Sequence, residues 1–335
     1  MGKQKLVNMT QTYIILDSSN LFFRARHLMK GADLDSKIGL GFHIIFNSIK
    51  KVWQNNHGTH VVFAFEGRSW RKDYYLPYKR NRTEIKAKFT ESQKEEEQIF
   101  WEAYDTFCTF IQDKTNCTTL QHPSLEADDL MAGWVQSHPN DNHIIVSTDS
   151  DMHQLIASNV SQYNGVEEYL ITPDGYFNDL GKAINDKKTG LPKKIPTSDW
   201  LIFEKSIRGD ATDNIFSAYP RVRKTVLEEA YLDRDKKGFK WNNLMLQKWL
   251  DHDGKEHQVR EDYERNKILI DLTSQPDDIK IKIYTCIKDA IDRKKDIPQV
   301  GSHLLKFCGK WNLQKMSDQI TFYSPFLTSK YEQVQ

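Results

Sequence analysis

Two short acidic runs carry the most distinctive chemistry in this chain: Glu126-Ala127-Asp128-Asp129, and Asp149-Ser150-Asp151 about twenty residues further on. Carboxylates crowded together repel and raise one another's pKa, so a stable ionised cluster implies bound cations. Hard oxygen donors of this type suit Mg²⁺ or Mn²⁺ and not zinc. Two such ions held roughly 3.5 to 4 Å apart clamp the attacking and leaving oxygens of a phosphodiester. The chemistry implied is phosphodiester hydrolysis.

Such acids need a rigid frame, and the flanking sequence provides one. Tyr13-Ile-Ile-Leu-Asp17 and His60-Val-Val-Phe-Ala-Phe-Glu66 are apolar runs that end in an acid, and His143-Ile-Ile-Val-Ser-Thr148 delivers Asp149 and Asp151. Each predicts a buried parallel strand. Between the first two, Ser36 to Gln54 carries Ile38, Phe42, Ile45, Phe46, Ile49 and Trp53 at helical spacing, which predicts a βαβ unit. Ligands of open α/β sheets bind at the carboxyl ends of the strands, the edge to which Asp17, Glu66 and Asp149 are assigned. A helix over about 126–136 places Glu126 and Asp129 on one face near its start, with Asp128 pointing elsewhere. Acids are also favoured at helix starts for reasons unrelated to catalysis. The joint convergence, more than either run alone, points to a site.

Further along, a short strand pair is expected at Gln162-Tyr163 and Tyr169-Ile171, then a turn at Thr172-Pro-Asp-Gly175. Met152 to Ile156 reads as a helix opening. Residues 181 to 196, rich in Gly, Pro and Lys, read as a linker. Thr197 to Arg208 is a helix with a Thr197 or Ser198 cap, ending at Gly209-Asp210. The remainder, including Tyr263 to Leu272, reads as mostly helical.

At 335 residues the chain is long enough for one large domain or two ordinary ones, and 39% hydrophobic with 28% charged residues is typical of a globular protein. No transmembrane run or signal-peptide core is present, and the start MGKQKLVNMTQT is polar, so the expected compartment is the cytoplasm, or the host cytoplasm for a phage-encoded protein. Cys108, Cys117, Cys286 and Cys308 are too scattered for a disulfide framework or a paired zinc site, and the histidines show no HExxH spacing.

The net charge is only +1, but it is unevenly distributed. Between Arg68 and Lys88, the cations Arg68, Arg71, Lys72, Lys79, Arg80, Arg82, Lys86 and Lys88 face only Asp73 and Glu84. A polyanion drawn to an acidic, metal-loaded pocket needs such an arm. Composition alone favours a solvated basic loop or helix face. In the functional reading, Lys79 and Arg82 stabilise charge on the reacting phosphate, and Tyr74, Tyr75 and Tyr78 either stack on unpaired bases or simply pack. Arg221, Arg223 and Lys224 follow Asp210 to Asn214 and are candidates for phosphate contact at a helix start.

Taken in order, Ile14-Ile-Leu-Asp17, Tyr78-Lys-Arg-Asn-Arg82, Glu126-Ala-Asp-Asp129, Ser147-Thr-Asp-Ser-Asp151 and Gly209-Asp-Ala-Thr-Asp-Asn214 resemble the 5′ nuclease, or flap endonuclease, superfamily. Within it the chain most resembles the ribonuclease H branch of T-even bacteriophages, from about residue 13 to 280. The resemblance implies a PIN-like α/β core with a central mostly parallel sheet, a helical arch and a C-terminal helix-three-turn-helix region. It implies a core at 1–180 with a basic arch at about 68–98, and a DNA-binding region at 181–335.

It also implies two Mg²⁺ ions, replaceable by Mn²⁺, on Asp17, Asp128, Asp129, Asp149, Asp151 and Asp213, with Glu66, Glu126 and Asp210 in or beside the set. Lys79 and Arg82 become the catalytic cations, while Arg68, Arg71, Lys72, Tyr78, Arg80, Lys86, Lys88, Arg221, Arg223 and Lys224 face nucleic acid. The implied activity is 5′→3′ exonuclease and flap endonuclease cleavage that removes RNA primers and adjacent DNA during lagging-strand replication. The implied partners are DNA and RNA/DNA duplexes with 5′ ends or flaps, with a single-strand-binding protein and a sliding clamp as further candidates for the tail SPFLTSKYEQVQ, and the protein is expected to be monomeric.

Two departures stand out: Glu66 replaces the usual strand-end Asp, and Phe216 to Arg223 lacks the glycines whose carbonyls hold potassium in many relatives. Direct phosphate contact by Arg221, Arg223 and Lys224 is expected instead. Rival readings are a PIN-type endoribonuclease, which needs no basic arm, and a non-catalytic structure-specific DNA-binding subunit, against which the full set of acids argues.

Overall fold

A computed structural model describes residues 10–28 and 33–332. Most of the polar start and the last three residues of the tail lie outside the described residues. The chain forms two compact units, one made of Met1–Arg68, Glu91–Ile195 and Ile281–Gln335, the other of Ser69–Thr90 and Pro196–Lys280. A single division near residue 181 does not describe this arrangement. The basic segment groups with the middle of the chain, and the final stretch returns to the sheet-containing unit, because apolar helix faces there complete the sheet's cover.

The first unit is built on a seven-stranded sheet in the order β3-β2-β1-β4-β5-β6-β7. The strands are β1 Thr12–Asp17, β2 His60–Ala64, β3 Thr118–Leu120, β4 Asn142–Val146, β5 Val160–Asn164, β6 Tyr169–Thr172 and β7 Gly175–Asn178. Strands β1 to β5 pair in parallel, the expected short pair is the antiparallel β5–β6, and β7 adds antiparallel beyond it. β1 is buried along its whole length and β4 along nearly all of it, which is why their sequences are continuously apolar rather than alternating.

Register aligns the carboxyl ends: Leu16 pairs with Phe63 on one side and Val146 on the other. Between β1 and β4 the strand order reverses, creating the crevice at which open α/β sheets bind ligands.

The helix Leu34–Asn55 starts at Asp33, whose side chain accepts the Ser36 N–H, and buries Ile38, Phe42, Ile45, Phe46 and Ile49. Phe42 and Phe46 pack with Phe107 of the helix Glu91–Lys114 and Phe307 of the helix Val300–Lys310. The helix Ile320–Thr328 adds Phe326 and Leu327, both fully buried, so the apolar part of the tail is core. The expected helix after Asp151 is only the 3₁₀ turn Ser150–Leu155. All four cysteines are unbridged, and among the described residues no helix is long and apolar enough to cross a membrane.

In the second unit the helix Ser198–Arg208 starts at the Thr197 cap and stops at Gly209, whose φ of 77° favours glycine. With the helices Lys224–Asp233, Phe239–Met245 and Val259–Ile270 it encloses Phe203, Ile207, Leu227, Leu244 and Met245. A hairpin, β8 Lys248–Leu250 and β9 Glu256–Gln258, interrupts a stretch that the sequence presents as mostly helical.

Candidate active site

At the carboxyl edge of the sheet, β1 ends on Asp17 and the exit from β4 carries Ser147, Thr148 and Asp149. Ser147 links them: its hydroxyl donates to Asp17 Oδ2 at 3.0 Å and accepts the Asp149 N–H at 3.0 Å. Gln162 fixes the exit by donating to the Ser147 and Asp149 carbonyls at 2.9 and 2.7 Å. Asp149 Oδ1 then accepts the Asp151 N–H at 2.9 Å and caps the 3₁₀ turn. Asp17 is only 4% exposed, and burial pushes its carboxyl up to about 6, with the charge of Asp149 adding to the rise and the Asn20 amide and Ser147 hydroxyl opposing it.

The helix Ala127–Ser137 brings the second acidic run to the same unit. Glu126 and Asp129 form a reciprocal capping box, with Asp129 Oδ2 accepting the Glu126 N–H at 3.3 Å. Glu66 Oε2 accepts the Ala127 N–H at 3.1 Å, which ties the end of β2 to this helix start. Glu126 and Asp129 therefore share a face, as the spacing implies, and both serve the helix. Asp128 is half-buried and lies outside the box.

The remaining expected metal and catalytic residues, Lys79, Arg82, Asp210 and Asp213, belong to the second unit, where they meet one another. Asp213 accepts from Arg82 Nη2 at 2.7 Å through Oδ1, and from the Tyr78 hydroxyl at 3.0 Å through Oδ2, with Lys79 Nζ 3.6 Å away. Lys79 adopts a left-handed backbone, φ 53°, and its N–H donates to the Asp213 carbonyl at 2.8 Å. Asp210 is paired with Lys205 at 2.8 Å. The Tyr78–Arg82 run and the Asp210–Asn214 turn thus form one cluster, joining residues about 130 positions apart.

Two expected nucleic-acid contacts are corrected. Arg71 is 2% exposed, lies over the Trp70 ring and donates from Nε to the Leu269 carbonyl at 2.7 Å, so it packs the interior. Tyr78 is 4% exposed and directs its hydroxyl at Asp213, so its ring offers no stacking face. Arg68, Arg80, Lys86, Lys88, Arg221, Arg223 and Lys224 are exposed, and Lys72 is half-buried. Arg80 and Lys224 form surface pairs with Glu84 and Glu228, which hold them only weakly.

Residues 12–181 match the family model described as 5′-3′ exonuclease, N-terminal resolvase-like domain. The chain belongs to the 5′-3′ exonuclease family. Relatives of this 5′-3′ exonuclease family member include the 5′-3′ exonuclease of Mycoplasmopsis pulmonis, 25% identical over 62% of this chain and 61% of that protein. Another is the flap endonuclease of Escherichia phage T5, 28% identical over 60% of this chain and 63% of the relative. The chain therefore spans less than two thirds of the length of these curated relatives. Among solved structures, the T5 5′-exonuclease with bound divalent zinc ions aligns with a TM-score of 0.58 at 22% identity, covering 84% of this chain and 100% of that one. That likeness concerns the fold, an α/β architecture with a mostly parallel sheet.

Proposed function

We propose that this 5′-3′ exonuclease family member is a divalent-metal-dependent 5′→3′ exonuclease and flap endonuclease. In this reading it acts on DNA and RNA/DNA duplexes with 5′ ends or flaps, and removes RNA primers and adjacent DNA during lagging-strand synthesis. The observation that carries the reading is the buried Asp17, bridged through Ser147 to Asp149 at the reversal point of the sheet. The T5 relative supports it, having been solved as a flap endonuclease complex with DNA and metal ions.

The donor set fits a hard cation. It consists of carboxylates, and a positive ion would relieve the burial and like-charge repulsion that raise Asp17. Asp17, Asp128, Asp149 and Asp151 would hold two Mg²⁺ ions, or Mn²⁺ in their place, with Glu66, Glu126 and Asp129 shaping the edge through the helix start. Asp210 and Asp213, the other expected ligands, are free to take a cation only when Lys205, Arg82 and Lys79 release their carboxylates. Bound divalent ions supply Lewis-acid stabilisation of the phosphate and a more acidic water. From this chain, Ser147 orients Asp17, Gln162 fixes the Asp149 loop, and Lys79 and Arg82 bind phosphate oxygens as charge develops. Arg68, Lys72, Arg80, Lys86, Lys88, Arg221, Arg223 and Lys224 draw in the backbone.

The finer placement in the T-even ribonuclease H branch, a monomeric state and a cytoplasmic site of action complete the proposal. A single-strand-binding protein or sliding clamp would have to use a surface other than Phe326 and Leu327, which are buried.

Replacing Asp149 and Asp151 with Asn should reduce Mg²⁺-dependent cleavage of 5′-labelled flap and RNA-primer substrates by more than about 100-fold while largely sparing duplex binding. Unchanged turnover would sink the metal assignment.

A further inference from the structure

Within the second unit lies an open cleft of about 760 Å³, bordered by the Phe216–Arg221 turn and the β8–β9 hairpin. Its walls are aromatic and braced. Phe216 and Tyr75 meet edge to face at 6.3 Å, and Trp249 stacks on His257 at 4.5 Å. Fully buried Asn266 donates to the Phe216 carbonyl at 2.8 Å, and the Trp249 indole N–H donates to the Ala218 carbonyl at 2.8 Å. Arg265 lies over the Tyr75 ring at 4.8 Å. Phe216 nevertheless leaves 57% of its surface exposed, an apolar ring facing solvent in a pre-organised wall.

The rim carries the opposite chemistry. Arg221, with a left-handed backbone at φ 57°, and Lys255 are exposed and have no ion-pair partner among the described residues. Deeper in, His257 is held between Asp251 at 3.1 Å and Asp262 at 2.9 Å, a polar edge beside the stacked indole.

We propose that this cleft receives an unpaired nucleobase, stacked against Phe216 and Trp249, with the adjoining phosphate on Arg221 and Lys255. Every base presents a π-face, so aromatic walls accept it without sequence preference, and rim cations match the charge of its phosphate. The volume falls in the range of small-ligand sites. An apolar peptide side chain would fill the walls and leave both cations without a counter-charge. The inference rests on the nucleic-acid reading above.

The test uses the full chain in EDTA with a duplex bearing a single-stranded 5′ extension, in which 2-aminopurine is moved through each position. Wild-type protein should quench the probe at one position. Phe216→Ala should remove that quenching and weaken binding about tenfold, as should an abasic residue at that position, without further loss when the two changes are combined. The proposal is overturned by quenching at no position, or by equal affinity of wild type and Phe216→Ala. It is also overturned if an acidic, Phe-ended peptide binds the cleft while base removal has no effect. Mg²⁺-dependent cleavage of the same duplex is measured in parallel: cleavage without base dependence removes only the cleft, whereas absent cleavage removes the nuclease reading and leaves the metal-free binding result standing.

Discussion

Asp213 engages the cations that a phosphate would need, Arg82 at 2.7 Å and Lys79 at 3.6 Å. Charge-assisted contacts of this kind are among the stronger hydrogen bonds, so a phosphate bound by Lys79 and Arg82 in the proposed way would compete with Asp213 for one pair of cations. Asp213→Asn is expected to tighten metal-free binding of duplex DNA several-fold, read by fluorescence anisotropy in EDTA. A purely metal-ligating Asp213 predicts no such gain, so unchanged metal-free affinity would rule out the competition. Arg71 and Lys88 make a second contrast, since both are cations of the same segment with opposite burial. Arg71→Ala should lower the stability of the fold by about 1–3 kcal/mol, because the Leu269 carbonyl loses its donor. Lys88→Ala should leave stability alone and reduce the salt slope of DNA binding by about one. The reverse pattern in denaturation and salt titrations would return Arg71 to the binding surface.

At the scale of elements, the acidic edge depends on how closely the chain leaving β2 passes the approach to the helix Ala127–Ser137. Gly67 sits at that crossing: a Cβ there would stand 2.1 Å from the His122 carbonyl oxygen and 2.6 Å from that of Leu125. Backbone cannot yield as a side-chain tip does, so Gly67→Ala must push the two segments apart. The neighbouring Glu66 would lose its bond to the Ala127 N–H, and the capping box would shift with the helix start. A loss of about 1–3 kcal/mol in urea unfolding, with a larger proportional loss of cleavage, is the expected result. Wild-type stability and cleavage in the variant would mean that the crossing does not hold the edge.

Across the whole molecule, the sheet-containing unit buries neutral imidazoles. His60 is 1% exposed, with Nδ1 donating to the Ser329 carbonyl and Nε2 accepting from Thr118, and burial holds its pKa down at about 3. Burial likewise holds His143 at about 4. A folded-state value below the unfolded one means that the unfolded chain binds more protons as pH falls. The stabilising contribution is therefore complete above about pH 6.5 and is lost on acidification, by about 1.4 kcal/mol per pH unit for each group until its folded value is reached. Asp17, pushed up to about 6, acts in the opposite sense between its two values, so the net slope mixes both. Comparing wild type with His60→Asn isolates the imidazole: their difference in unfolding free energy should shrink steadily from pH 6.5 to 5. A difference independent of pH would show that His60 does not stay neutral in the fold.

The order of apolar runs and acids determined the parallel strands, the helix between β1 and β2, the Thr197 cap and the acidic edge, because burial on both faces of a strand or on one face of a helix is recorded locally as periodicity. Asp17, Asp149 and Asp151 were legible for the same reason, since a strand end is a sequence position as much as a place. Tertiary structure alone decided that Glu66 accepts the Ala127 N–H, that Arg71 and Tyr78 face inward, and that Asp213 closes on Lys79 and Arg82. It also decided that residues after Lys280 return to the first unit and that Phe216 and Trp249 border a common cleft. Each of these depends on contacts between segments far apart in the chain, and no local pattern of hydrophobicity or charge encodes which distant partner a side chain will meet.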